Sequence, residues 1–420
     1  MLPLELIRKD PDRVRRAADL KGEPAPIDEI LKFDKEWREH LHKAEKVKEE
    51  QNKLSKEFAK TRDEKLKERL REMADTAKDE MAKAEAVKRE LDDLLLRVPN
   101  LFHESVPIGE SEAGNKVQRE WGDKPEFDFA PRTHYDLGES LGIMDFEHAA
   151  RVTGSRFAFL LGDGARLERA LVQFMLDVHT REHGYTEVWP PMLVNSASMV
   201  GTANLPKFAD QAFRVEDKDL WLIPTAEVPV TNFHREEILE GDRLPMKYVA
   251  YAPSWRTEAG AAGKDTRGFI RLHQFSKVEL VKVTTAETSM DEFEKLVADA
   301  EVILQRLGLQ YRVLAMCTGD MGFAQYKKYD LEAWSPGLSR YLEVSSCSLF
   351  NDFQAMRANI RYRPERGAPP KFAHTINGSG LALPRTIDAI LETYQRADGM
   401  VVVPEVLKPY MGGVELIGAR

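Results

Sequence analysis

The chain has 420 residues, of which 42% are hydrophobic and 31% charged, and it carries a formal net charge of −9. That length allows two or three domains, and no uninterrupted apolar run approaches the roughly 20 residues of a membrane span. Two cysteines, Cys317 and Cys347, argue against a disulfide framework and exclude a four-cysteine zinc site, and the acidic balance argues against nonspecific nucleic-acid coating.

The first residues, Met1-Leu2-Pro3-Leu4-Glu5, lack the charged and apolar regions of a signal peptide, so a cytoplasmic protein is expected. Asp10 before Pro11 reads as the cap and first turn of a short helix. Residues 28–98 are of another kind: 19 Lys/Arg, 20 Asp/Glu, and neither glycine nor proline. Leu66, Leu70, Met73, Ala77, Ala84, Val87, Leu91, Leu94 and Val98 follow four-and-three spacing, broken at Glu80. Ile30, Trp37, Leu41, Ala44, Val47, Leu54 and Phe58 nearly repeat it, with Asp34 and Gln51 in the seam. Two heptad blocks separated near residues 61–64 predict an antiparallel two-helix hairpin. Arms of about 33 residues would project roughly 50 Å at the helical rise. Residues 43–71 hold 11 basic and 7 acidic side chains, while the root segments 28–42 and 72–98 carry a combined −5. Such a tip suits contact with phosphates, although a solvated helical surface fits the same charges.

Pro99-Asn100 closes the hairpin, and a Pro/Gly-rich linker covers 101–130. From 131 to 420, helix-like segments (166–183, 291–307, 384–397) alternate with strand-like ones (185–189, 220–223, 247–252, 269–283, 309–314, 341–349). Strands far outnumber crossover helices. The expectation is an α+β protein: a helical N-terminal domain (1–100), then a domain (131–420) with a mostly antiparallel sheet flanked by helices.

Chemistry concentrates in a few stretches. Ser254-Trp255-Arg256-Thr257-Glu258 leads through a glycine-rich loop, Ala259 to Gly268, into Arg271-Leu272-His273-Gln274-Phe275. Arginine forks onto phosphate and carboxylate, a loop can close over a triphosphate, and phenylalanine offers a face to a base. The run Gly260 to Thr266 imitates a phosphate loop, but Glu258 stands where the first glycine is needed and Asp265 follows the lysine. Gly378-Ser379-Gly380-Leu381-Ala382-Leu383-Pro384-Arg385 is a glycine-rich strand ending in arginine. Glu279, between apolar residues in Lys277-Val278-Glu279-Leu280-Val281, needs a strong partner, either a structural lysine or a ligand. On its own Thr225-Ala226-Glu227 reads as a helix cap, Phe275 as a core aromatic or a stacking face, and Glu343 and Ser346 as outward residues of an alternating strand.

Residues 184–193, 254–279 and 378–385 resemble motifs 1, 2 and 3 of the class II aminoacyl-tRNA synthetases, in order. Pro224 to Glu227, Gly268 to Phe275, Thr318 to Phe323, Glu343 to Ser348 and the arm ending Leu94 to Asn100 resemble the bacterial-type seryl-tRNA synthetases, across essentially the whole chain. The resemblance implies a serine–tRNA ligase that forms seryl-adenylate from L-serine and ATP, then loads tRNA(Ser) and also tRNA(Sec). It implies a serine site of Thr225, Ala226, Glu227, Arg256, Glu279 and Ser379. For ATP it implies Arg256, Thr257, Glu258, Leu272, Phe275, Glu343, Val344, Ser345, Ser346 and Arg385. Glu343 and Ser346 would ligate Mg²⁺, and Arg256, Glu279 and Arg385 would carry catalysis. Motif 1, with Pro191 at its turn, implies a homodimer, and the arm implies tRNA contact. Glu279→Ala is then expected to abolish serine activation with little change in stability. Three departures stand out: Leu349 where the family has asparagine, Met356 where it has arginine, and Lys264 in the motif 2 loop. An amino acid:carrier-protein ligase is the runner-up, disfavoured by the full-length arm. A noncatalytic RNA-binding paralogue is third, disfavoured because Arg256, Glu279, Glu343 and Arg385 are all present.

Overall fold

A computed structural model describes residues 1–259 and 268–418. Lys264 and the whole phosphate-loop look-alike, Gly260 to Thr266, therefore lie outside the described residues. The chain divides into two compact units, Met1–Pro99 and Asn100–Arg420.

The first unit is helical: α1 (Leu4–Lys9), α2 (Pro11–Leu20), α3 (Ile27–Thr61) and α4 (Glu64–Leu95). Asp10 caps α2, its Oδ1 accepting from the Arg13 amide at 3.1 Å, and Pro11 needs no amide partner there. Helices α3 and α4, of 35 and 32 residues, lie antiparallel. The turn is made by Arg62, left-handed at φ 52°, and Asp63, whose Oδ1 accepts from the Lys65 amide. Each polar interruption of the heptads has a partner. Asp34 pairs with Arg8 and Arg38, Gln51 donates to the Leu70 carbonyl at 3.1 Å, and Glu80 meets His40 Nδ1 at 2.8 Å.

In the second unit, eight strands form one sheet: β1 (Lys116–Trp121), β2 (Thr186–Glu187), β3 (Met246–Trp255), β4 (Gln274–Thr284), β5 (Tyr311–Ala315), β6 (Lys327–Ser335), β7 (Arg340–Asn351) and β8 (His374–Ala382). Their order is β1-β5-β6-β7-β8-β4-β3-β2, antiparallel throughout except for the β2/β3 pair. Three helices, α5 (Asp163–Arg181), α7 (Ser289–Arg306) and α9 (Leu383–Thr393), share one core with a single sheet face. Leu167, Leu171, Phe293, Leu296, Ile387 and Ile390 meet Val278, Leu280, Cys347, Leu349 and Ile376 there. Two shorter helices, α6 (Glu227–Asn232) and α8 (Phe353–Ala358), lie off that core, where Val228 joins Ala250, Ala252 and Val281, and Ala355 joins Met246 and Val283.

Strand parity decides which side chains reach the other face. Along β4, Val278 and Leu280 go to the helices, while Phe275, Lys277 and Glu279 alternate away from them. The strand-like segment expected from 269 begins with 269–273, which turn instead and enter β4 at Gln274. The Arg156 carbonyl takes the His273 amide, and the His273 carbonyl takes that of Arg256. The glycines of β8 serve the helix layer. A Cβ on Gly378 would sit 2.5 Å from Leu296 Cδ2, and one on Gly380 would sit 3.0 Å from His179 Nε2. Sheet and helices meet closely because these two side chains are missing.

Candidate active site

On the sheet face away from α5, α7 and α9 lies a cavity of about 440 Å³. Thr225, Glu227, Arg256, Glu258, Leu272, Phe275, Glu343, Val344, Ser346, Ser379 and Arg385, each singled out from the sequence, line it together.

Two β-bulges shape the cavity floor. Across β6 and β7, Leu331 opposes Ser345 but the next residue, Glu332, opposes Glu343, so Val344 is an extra residue. In a regular strand, residues three apart point to opposite faces. The inserted residue turns Glu343 and Ser346 toward the same cavity. A second bulge, at Gly380, lies between Ser379, opposite Glu279, and Leu381, opposite Val278.

One end of the cavity is cationic. Arg256 donates from Nε to the Pro224 carbonyl at 3.2 Å, and its guanidinium rides over one face of Phe275, 5.2 Å from the ring centre. Arg385, in the first turn of α9, donates from Nε to the Ile270 carbonyl and from Nη1 to the Glu343 carbonyl at 2.8 Å. Its Nη1 lies 3.7 Å from the Glu343 carboxylate. Burial would raise that carboxyl, but Arg385, Lys328 and Arg256 hold it below its ordinary range. Behind Ser346, Asp330 pairs with Lys328 at 3.2 Å, and burial pushes it up to about 7. Glu258, left-handed at φ 51°, accepts from Arg271 Nη1 at 3.1 Å.

The other end is acidic. Glu279 is buried and does not itself line the cavity; Thr225, Lys277 and Asn377 stand in front of it. Its Oε2 accepts from Thr225 Oγ1 at 2.9 Å and pairs with Lys277, and its Oε1 accepts from Asn377 Nδ2 at 3.0 Å. The lysine partner and the polar site are therefore both present at this residue. Thr225 likewise does two things, since its Oγ1 also accepts from the Glu227 amide at the start of α6.

Three expected positions turn elsewhere. Ala226 belongs to the apolar cluster with Val228 and Ala250. Thr257 donates from Oγ1 to the Asp210 carbonyl, and Ser345 donates from Oγ to the Ser379 carbonyl at 2.6 Å. Arg271, which opens the returning segment of the hairpin, also lines the cavity, and other lining residues were given no role from the sequence: Lys277, Lys328, Asn377 and Gln325. Lys277 could have been found, because it lies two positions from Glu279 on the same strand face. Gln354, which donates to Glu227 at 2.6 Å from α8, has no sequence signal.

Residues 1–102 match the model of the seryl-tRNA synthetase N-terminal domain, and 212–394 that of the tRNA synthetase class II core domain (G, H, P, S and T). The serine–tRNA ligase of Caldanaerobacter subterraneus subsp. tengcongensis is 54% identical over 416 residues, 98% of each chain. That of Pelotomaculum thermopropionicum is 52% identical over 423 residues, covering the whole of both chains. The structure of seryl-tRNA synthetase from Pyrococcus horikoshii complexed with ATP aligns with a TM-score of 0.94 at 40% identity, over 99% of each chain.

Proposed function

Because the chain belongs to the seryl-tRNA synthetase family and its activity is serine–tRNA ligation, we propose that this cavity binds serine at its acidic end and ATP at its cationic end. What carries the reading is the division of charge within one cavity. Glu227, with Glu279 behind Thr225, suits an ammonium; Arg256, Arg385 and Lys328 suit phosphates.

In this reading Thr225 and Glu227 receive the serine amino group. Glu279 receives the serine hydroxyl as Lys277, on a flexible stem, yields its place. Ser379 lines the same pocket. Alanine lacks the hydroxyl and would leave buried polar groups unpaired, a difference on the order of 10⁴-fold or more in discrimination. Adenine stacks on the Phe275 face that Arg256 leaves free, with Glu258 and the backbone near Leu272 at its edge.

A serine carboxylate oxygen attacks the α-phosphorus in line, the bond to the bridging oxygen breaks, and pyrophosphate leaves. Arg256 and Arg385 stabilise the spreading negative charge without proton transfer. The 3′-terminal hydroxyl of tRNA(Ser), and of tRNA(Sec), then attacks the adenylate carbonyl and AMP departs. Glu343 and Ser346 present hard oxygens, too few alone for a resident metal, and no group of three or more His, Cys, Asp or Glu among the described residues could hold one. They would hold Mg²⁺ arriving with ATP, which would supply positive charge against the phosphates.

The arm carries the tRNA contact through its basic tip, by shape and backbone. Trp189, 83% exposed in motif 1, marks a surface that a second copy would cover, in line with a homodimer. No helix among the described residues is long and apolar enough to cross a membrane.

The test is ATP–pyrophosphate exchange with each of the twenty amino acids, then charging of unfractionated tRNA. Exchange with serine together with charging is the expected result. Exchange without charging would point to a carrier-protein ligase, and no exchange would point to a noncatalytic paralogue.

A further inference from the structure

Two carboxylates, Glu279 buried and Glu227 half-buried, are bridged at the acidic end of the cavity, and they are unequally neutralised. Asn377 Nδ2 donates to Glu227 Oε2 at 2.8 Å and to Glu279 Oε1 at 3.0 Å, so one amide nitrogen spans both acids. Glu279 has Lys277 as its cation. Glu227 has no ion-pair partner among the described residues. Its second oxygen accepts from Gln354 Nε2 at 2.6 Å, and Thr375 Oγ1 fixes that amide by donating to Gln354 Oε1, also at 2.6 Å. The elements around Glu227 bring Glu279 and Lys277 from β4 and Arg256 from the end of β3. From β8 and α8 come the neutral amides Asn377 and Gln354. Asn377 Oδ1 is a buried acceptor with no hydrogen-bond partner.

We propose that serine binding expels one proton from Glu227, and that Gln354 is the positioning residue presenting the ionised carboxylate to the incoming ammonium. This rests on the serine-site reading above. The balance is simple: the serine ammonium replaces the proton that Glu227 gives to solvent, so the charge at the acidic end is unchanged, while the serine carboxylate adds its negative charge at the Arg256 end. Burial and the neighbouring Glu279 push Glu227 up to about 7, against the smaller opposing effect of Gln354, Lys277 and Arg256. Asn377 Oδ1 supplies a further acceptor for the arriving ammonium.

The sign follows. A carboxyl raised to about 7 is protonated in the free enzyme below that pH, so only a fraction of molecules is competent to pair with an ammonium. Serine KM should be flat above about pH 7 and rise by roughly tenfold per pH unit well below it.

Calorimetric titration of the full-length protein with L-serine, at about pH 6 in two buffers of different ionisation enthalpy, measures the proton directly. Close to one proton should be released. Glu227→Gln should release none and should remove the pH dependence of serine KM. Gln354→Met withdraws a donor from the ionised form, so the KM rise should begin at higher pH while kcat at saturating serine and high pH is kept. A merely structural role for Gln354 would leave that midpoint in place, and an unmoved midpoint refutes its assignment. Serine binding with equal heats in both buffers would overturn the coupling, with no variant needed, and leave the serine site intact. An unchanged serine KM in Glu227→Gln would instead overturn the serine site itself.

Discussion

Glu279→Ala is the substitution whose outcome the structure changes most. Glu279 is 1% exposed, and its two oxygens engage Thr225, Asn377 and Lys277. Alanine removes the acceptor for two buried donors and strands the Lys277 ammonium, itself only 6% exposed. Removing one partner of a buried ion pair costs about 3–5 kcal/mol. Lys277 lines the cavity, so water reaches it, and the low end, about 3 kcal/mol, is the expected loss. Serine-dependent exchange should fall with it, on the order of 10⁴-fold or more. The expectation that activity is lost with little change in stability is therefore revised: the carboxylate organises its own site. Denaturant unfolding followed by tryptophan fluorescence measures this, comparing midpoints at unchanged slope. Adding Lys277→Met to Glu279→Ala removes the stranded charge and should recover much of the loss. A Glu279→Ala midpoint equal to that of the parent would refute the reasoning.

Gly378→Ala should destabilise by about 1–3 kcal/mol through overpacking, since its Cβ would meet Leu296 at 2.5 Å and Cys347 Sγ at 2.8 Å; parental stability in the same unfolding assay would show that the glycine is not needed for packing. Asp34→Ala strands Arg8 and Arg38, whose charges meet a carboxylate 1% exposed, and should speed hydrogen exchange at the root of α3; unchanged exchange there would remove Asp34 from the arm's support. Asp388 is buried, burial pushes it up to about 7, and neither oxygen has a hydrogen-bond partner. Its folded pKa lies above the unfolded value of 3.8, so the native state binds the extra proton and stability falls as pH rises toward 7. Asp388→Asn should therefore gain on the parent between about pH 5 and pH 8, and an equal difference in Tm at both would refute the assignment. Removing residues 28–98 should spare adenylate formation and abolish tRNA charging, whereas charging at full rate without them would deny the arm its role.

The arm was legible because a heptad is a local pattern, and its interruptions are informative. Asp34, Gln51 and Glu80 break the apolar spacing, yet each finds a partner on a neighbouring helix, so the seam continues through them. The serine end was partly legible for a related reason. Period two places Phe275, Lys277 and Glu279 on one face, so naming Glu279 already implied its neighbours. Gln354 escaped because nothing near it in sequence is chemical; it reaches Glu227 from α8, 127 residues away. Leu349, the departure from the family pattern, points into the helix-facing core and is fully buried, so it is met by packing and leaves the cavity walls unchanged.

Glu343 and Ser346 show where strand periodicity misleads. Read as a regular strand, two residues three apart cannot share a face, and one of the pair should have pointed into the helices. The pair meets in the cavity because Val344 is inserted without a partner on β6. A bulge has no side-chain signature of its own; it depends on how the facing strand registers, a property of the sheet rather than of the segment. The same holds at Gly380, where the extra residue lets Ser379 face the cavity while Leu381 returns to the core. At that position glycine gives a local hint, since a Cβ would press on His179 and Val278. Composition therefore marks the second bulge and is silent about the first, and it is the first that brings the two hard oxygens of the nucleotide end together.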